Sequence, residues 1–279
     1  MEAQRLQRVE AVKQHRRLGG ERSAAEAKVH QREARQTRNE RWPRSSLVVA
    51  AAFLAAGANA LSATAAPALS ASAAPRRIIL FDVLDTLVVD PFFQGMHKEV
   101  FGFESLEALY GSTDREAYEA FETGAIGEAE LWRRYYKDGT APPDGAAAVA
   151  FLEEHYDYVR CMRSLLGEIK RIGDVEVHAL SNYGPYWRNI EAKLELSRYL
   201  DWSFVSCETG LRKPDPRAFE DALAKLGADV GRDTVVFVDD NKMNCAAAAK
   251  LGLSTIHFLG DSAECRTELI ALGFTELRV

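Results

Sequence analysis

The 279-residue chain is 47% hydrophobic and 27% charged, which is enough apolar material for one full core, or for a core domain with a small satellite. Its net charge of -6 conceals a basic start: residues 1–44 hold 12 Lys/Arg and six Glu, whereas the whole chain has 35 basic and 41 acidic residues, so the main body is acidic, which argues against a nucleic-acid role for it. The four cysteines, Cys161, Cys207, Cys245 and Cys265, form no CxxC pair and have no His at zinc-ligand spacing; they are read as buried thiols rather than a metal knot or a disulfide framework.

In chain order, residues 1–75 are read as a targeting-like, disordered extension. Residues 1–40 are Arg-rich, as transit peptides are, but carry six Glu, which such peptides lack. An apolar stretch at 47–61 is too short and too rich in Ala and Gly for a stable membrane span. Basic residues Arg41 and Arg44 precede it, and small residues in Ala-x-Ala spacing follow around 70–74, in the manner of a cleavable signal. A solvated charged helix and an upstream extension from a wrongly chosen start codon are the competing readings.

Beyond Pro75 the pattern turns to strands and helices. Short apolar runs at 78–81, 175–180, 204–206, 235–238 and 255–258 each end in polar or Gly residues, with helix-period segments between them. Strands separated by helices predict a parallel sheet with right-handed crossovers, an α/β Rossmann-like three-layer core over 76–90 and 166–279. The interval 91–165 holds no strand-like run. Its helical spacing at 106–109, 117–121 and 128–136, broken at Gly111, Gly124 and 142–145, predicts a small helical cap inserted after the first strand.

Sheets of this kind place ligands at the carboxyl ends of their strands, so the residues following each run are the candidates for chemistry. Asp82 follows the first run, where a carboxylate can attack phosphorus and form an acyl phosphate, or simply cap the strand. Ser181 and Asn182 follow the second and offer a hydroxyl and an amide to a phosphate oxygen. Lys213, ahead of Pro214, can neutralise nucleophile and phosphoryl group together, or be an exposed turn that opens the helix at 219–226. Asp239 and Asp240 end the fourth run; adjacent acids there are costly unless paired or bound to a cation such as Mg²⁺, and otherwise read as a solvated helix cap.

Asp82 with Thr86, Ser181, Lys213 and the Asp239-Asp240 pair resemble the four signature motifs of the haloacid dehalogenase superfamily, over 77 to about 260. The resemblance implies a Mg²⁺-dependent core with a cap after the first motif. It assigns Asp82 as nucleophile and metal ligand, Thr86, Ser181 and Asn182 as substrate contacts, and Lys213 as an electrostatic clamp. Asp240, Asp239 and the Leu84 carbonyl fall to the metal, with Asn244 in support. The chain departs from the family's phosphatases at Leu84, where a general acid/base Asp is usual; such a loss costs roughly 10²-fold in rate, and neighbouring Asp85 is the candidate substitute.

The runs FDVLDTLVVDPF, FETGAIGEAEL and SNYGPYWRNIEAKLELSRYLDWSFVSCETGLRKPDP further resemble the plant chloroplast FMN hydrolases. This implies FMN as the phosphomonoester substrate, riboflavin and phosphate as products, and a plastid address. Tyr183, Tyr186, Trp187, Trp132, Tyr135 and Tyr136 offer aromatic surface to a flavin or to ordinary packing. A catalytically weak phosphate- or flavin-binding protein and a phosphatase for another small metabolite are the alternatives.

Overall fold

The computed structural model describes residues 74–140 and 142–278. The 47–61 stretch and nearly all of the targeting-like extension lie outside them. No helix among the described residues is long and apolar enough to cross a membrane.

Five parallel strands, β1 (Arg77–Phe81), β2 (Val175–Ser181), β3 (Asp201–Val205), β4 (Thr234–Asp239) and β5 (Ser254–His257), form a sheet in the order β3-β2-β1-β4-β5. The central strand β1 pairs with β2 along one edge and β4 along the other, and helices cover both its faces, so Ile78 through Phe81 are fully buried. Alternate residues feed separate cores. Ile78 and Leu80 of β1 join Val235 and Phe237 of β4 on one face, while Ile79 and Phe81 join Val236 and Val238 on the other.

The first of these faces is closed by helices α9 (Pro216–Leu226) and α10 (Lys242–Ala249) through Phe219, Ala222 and Ala248. The second is closed by α6 (Met162–Ile172) and α11 (Ser262–Ala271) through Leu165, Leu166, Ile169 and Leu269. Helix α9 begins three residues before the start at 219 read from the sequence: Pro216 stands in the first turn, Asp215 caps it by accepting the Arg217 amide, and Gly227 ends it at φ +60°. The third strand is longer than its apolar run because Asp201, Trp202 and Ser203 lie at the sheet edge, where one side meets solvent. Ser206, expected in that strand, instead opens the short helix α8 (Ser206–Thr209).

Between β1 and α6 the chain forms α1 (Met96–Glu99), α2 (Leu106–Ser112), α3 (Arg115–Glu122), α4 (Glu128–Arg134) and α5 (Gly145–His155). Ser105, Asp114 and Asp144 cap α2, α3 and α5 through side-chain oxygens. Gly111, expected as a break, lies inside α2, which ends one residue later at Ser112. Helix α6 runs across the expected boundary at 165/166 and packs on the sheet. The two connections to this helical insertion lie side by side, with the Val89 amide bonded to the Asp157 carbonyl and the Val159 amide to the Leu87 carbonyl, both at 2.9 Å.

A second attachment lies at the C-terminal end of α3. Phe121 packs on Tyr186 at 5.3 Å between ring centres and against Gly184, where a Cβ would come within 2.2 Å of the ring. Gly124, at φ +71°, sits on the Cys207 backbone, and the Ser206 hydroxyl donates to the Glu122 carbonyl at 2.5 Å. Only glycines fit these two approaches.

Candidate active site

The carboxyl ends of β1, β2 and β4, with the loop before α9, converge on one buried polar cluster. Asp82, immediately after β1, has its backbone amide held by the Val238 carbonyl at 2.9 Å, so the sheet ladder itself aims the residue. Lys213, only 2% exposed, donates through Nζ to Asp82 Oδ1 and to Asp239 Oδ2, each at 2.8 Å. Asp82 Oδ2 has no hydrogen-bond donor among the described residues.

Lys213 is placed by its backbone. The Asn182 side chain, at the end of β2, accepts the Lys213 amide at 2.8 Å and donates to the Lys213 carbonyl at 2.7 Å, a reciprocal pair across two loops. Burial alone would lower the lysine's pKa, but the charges of Asp239 and Asp82 and their hydrogen bonds outweigh it and hold the ammonium above the ordinary lysine value. Asp239 is fully buried, which raises its carboxyl above the usual range; Lys213 opposes the shift and the Asp82 charge adds to it. Its oxygens also accept the Asn241 amide at 2.7 Å and the Asn244 side-chain amide at 3.0 and 3.1 Å.

Carboxylate oxygens of Asp82, Asp239 and Asp240 lie within 4.8 Å of one another, and all three residues are buried. A cluster of hard oxygen donors at this spacing fits a small divalent cation such as Mg²⁺. Asp82 and Asp240 are the first candidates to ligate it, because the Asp239 oxygens already hold Lys213, Asn241 and Asn244. The Thr86 hydroxyl accepts the Asp240 amide at 3.1 Å, which leaves its own proton to donate. Ser181 is buried at the end of β2, and its hydroxyl has no hydrogen-bond partner among the described residues.

Leu84 is buried in the turn after Asp82, a tight reversal in which the Leu87 and Val88 amides both bond the Val83 carbonyl at 2.8 Å. Asp85 takes the left-handed conformation, φ +57°, that glycine favours. Its Oδ1 accepts the Asp90 amide at 3.0 Å, and its carboxylate is not one of the three that converge.

The aromatic residues pack among themselves. Tyr183 and Tyr186 are buried, the Tyr183 hydroxyl pairs with that of Tyr156 at 2.5 Å, and Tyr135 stacks on Phe101 at 5.1 Å inside the insertion. Trp187, at the start of α7 (Trp187–Leu194), packs on Trp202 at 5.0 Å. The expectation of four buried thiols is corrected: Cys245 and Cys265 are buried, Cys207 is half-buried and Cys161, at the start of α6, is exposed.

Three contributors have no sequence signature. Glu122 of α3 is buried and binds Arg212, the neighbour of Lys213, at 2.7 and 2.9 Å. Ser206 ties the same turn of α3 to the core. His257, which reads as a strand residue, holds the Asp240 carbonyl through Nε2 at 3.0 Å. Each partner is remote in sequence, so no local pattern announces the pairing.

Comparison with known proteins agrees with this arrangement. The haloacid dehalogenase-like hydrolase family profile matches residues 76–252. Flavin mononucleotide hydrolase 1, chloroplastic, of Arabidopsis thaliana is 37% identical over 182 residues, spanning 65% of this chain and 71% of that protein. Sesquiterpene phosphatase of Aspergillus oryzae is 28% identical over 58% of this chain and 82% of its own. A HAD family enzyme from Bacteroides thetaiotaomicron shares the fold at a TM-score of 0.55 and 21% identity, over 67% of this chain and 96% of its own. With the parallel sheet, the helical insertion after β1 and the strand-end cluster, the match over well over half its length shows that this chain belongs to the haloacid dehalogenase-like hydrolase family.

Proposed function

We propose that the chain is a Mg²⁺-dependent phosphomonoester hydrolase acting through an aspartyl phosphate on Asp82, with FMN as substrate and a plastid as its location. The observation that carries this reading is Lys213, a buried ammonium bridging the Asp82 and Asp239 carboxylates beside Asp240. A charge so placed serves a reaction in which negative charge gathers at one point.

In the forward step the unbonded Asp82 Oδ2 attacks phosphorus as the bond from phosphorus to the ester oxygen breaks, and the leaving oxygen takes its proton from water, whose hydroxide is neutralised by the proton that the second step releases. Water then attacks the acyl phosphate, releasing inorganic phosphate and restoring the carboxylate. Lys213 offsets the charge on Asp82 and on the incoming dianion, Ser181 and Thr86 donate hydroxyl protons to phosphoryl oxygens, and Asn182 holds Lys213 in register. Asp82 and Asp240, with the Leu84 carbonyl, would hold Mg²⁺, and Asp239 with Asn244 would brace them. The cation would supply Lewis-acid neutralisation of the phosphoryl oxygens. The core 76–90 and 166–279 carries these groups, and the 91–165 insertion covers them and selects the alcohol.

FMN is favoured by the identity to the Arabidopsis protein, which also supports a plastid address for residues 1–75. The similarity to a sesquiterpene phosphatase favours a second reading, a phosphate ester of another small metabolite. Phosphate release by the full chain from FMN, beside a panel of sugar, nucleotide and prenyl phosphates, tests both. Release that is selective for FMN, abolished by a chelator and abolished in D82N is the expected result. Full activity of D82N would refute the mechanism, and selectivity for a different ester would refute the substrate.

A further inference from the structure

The peptide groups on both sides of Asp240 are clamped by side chains from other strands. On the N-terminal side its amide donates to Thr86 Oγ1, in the turn after β1, at 3.1 Å. On the C-terminal side its carbonyl accepts from His257 Nε2, in β5, at 3.0 Å. Fixing the peptide planes before and after one Cα fixes both backbone torsions of that residue, and with them the direction in which its carboxylate leaves the chain.

The register explains how His257 reaches this point. In the parallel pairing of β4 with β5, Asp239 lies opposite His257, and the Phe258 amide bonds the Asp239 carbonyl at 3.0 Å. The chain turns at Asp240, beyond the last residue of β4, so its carbonyl is beyond the ladder and no further strand amide is in register to satisfy it. The imidazole fills that role. A carbonyl oxygen can only accept, so Nε2 carries the proton in this contact. Only a side chain with a donor about as far from the backbone as Nε2 can take its place.

We propose that His257 is a positioning residue for Asp240, holding its backbone so that the carboxylate meets a divalent cation shared with Asp82. The inference rests on the metal-dependent reading given above and adds to it a residue that touches neither substrate nor metal. Partners of this outer kind typically change metal affinity by roughly 10- to 100-fold when removed. His257 is half-exposed at the sheet edge, so replacing it leaves the two main cores intact.

The test is calorimetric titration of Mg²⁺ into the metal-stripped full chain, set beside thermal unfolding without metal. H257L, which lacks the donor, is expected to bind Mg²⁺ about tenfold or more weakly. H257Q, whose amide nitrogen stands where Nε2 does, is expected to retain most of the affinity, with both variants unfolding near the natural midpoint in chelator. If H257L is too unstable to titrate, H257N takes its place; its shorter amide cannot reach, and it is expected to lose affinity while H257Q does not. Unchanged affinity in H257L, or equal losses in H257L and H257Q, would overturn the inference alone. A natural chain that binds no Mg²⁺, or binds it equally well in D240N, would overturn the metal-dependent reading and this inference with it.

Discussion

Replacing Lys213 by Met keeps an unbranched side chain, one atom shorter, and removes its charge. Two carboxylates, Asp82 and the fully buried Asp239, then lose an ammonium at 2.8 Å from each. At an effective dielectric constant of 20, each attraction is about 6 kcal/mol gross. Against this stands the lysine's own desolvation, several kcal/mol, which the variant no longer bears. The net destabilisation expected is about 3–5 kcal/mol at neutral pH without metal, the range for removing one partner of a buried pair.

For a folded part of this size, that lowers the unfolding midpoint by roughly 6–20 °C. The pH dependence has a definite sign. Asp239 already titrates above its unfolded value, chiefly through burial, so its charged form costs stability at neutral pH and the cost is relieved as pH falls through the raised value. Without Lys213 that pKa rises further, and the gap between variant and natural protein narrows on acidification. The assay is urea unfolding in chelator from pH 8 to pH 5, with D239N and the double variant completing a cycle. The double variant is expected to recover about 1–3 kcal/mol, because one of the stranded charges is gone. A K213M protein within about 1 kcal/mol of the natural one at neutral pH, or a gap that does not change with pH, would refute the electrostatic account of the cluster.

Further expectations concern other parts of the molecule. In G184A the new methyl falls on the Phe121 ring, so a loss of about 1–3 kcal/mol is expected in urea unfolding, partly restored in the F121L background. Asp85→Asn keeps both the left-handed turn and the acceptor for the Asp90 amide, and kcat is expected within a few-fold of the natural value; a fall of about 10²-fold in a folded D85N protein would instead make Asp85 the proton donor that Leu84 cannot be. His178, whose burial lowers its pKa against the pull of Asp201 and Glu176, contributes stability that is complete above about pH 6.5 and is lost as pH falls through its depressed value; unfolding midpoints of H178Q should therefore depend less on pH below 6.5 than those of the natural chain.

The strand runs, the parallel α/β class and the helical insertion after β1 were legible in the sequence because they follow from local chemistry. Ile78 to Phe81 and Val235 to Val238 are continuous apolar runs, which two-sided burial requires; the end of α9 at Leu226 followed from its amphipathic spacing, whereas the Asp215 cap and Pro216 start it three residues before that spacing begins at Phe219. The strand-end acids, Lys213 and Asn182 were legible for a related reason: a parallel sheet sends every carboxyl end to the same edge, so residues far apart in sequence must meet there. Where a run is half exposed, as at Asp201 to Ser203, the apolar signal faded and the strand was read too short.

Tertiary structure alone decided what each polar group does once it arrives. Thr86 bonds the Asp240 amide, Asp85 is engaged in its own turn, and Tyr183 and Tyr186 are consumed in packing against the insertion. Glu122, Ser206 and His257 acquire their partners only through the register of β4 with β5 and the docking of α3 on the core. Hydrogen bonds depend on angstrom distances between side chains brought together by the whole fold, whereas composition and periodicity record only which face of its own element a residue occupies.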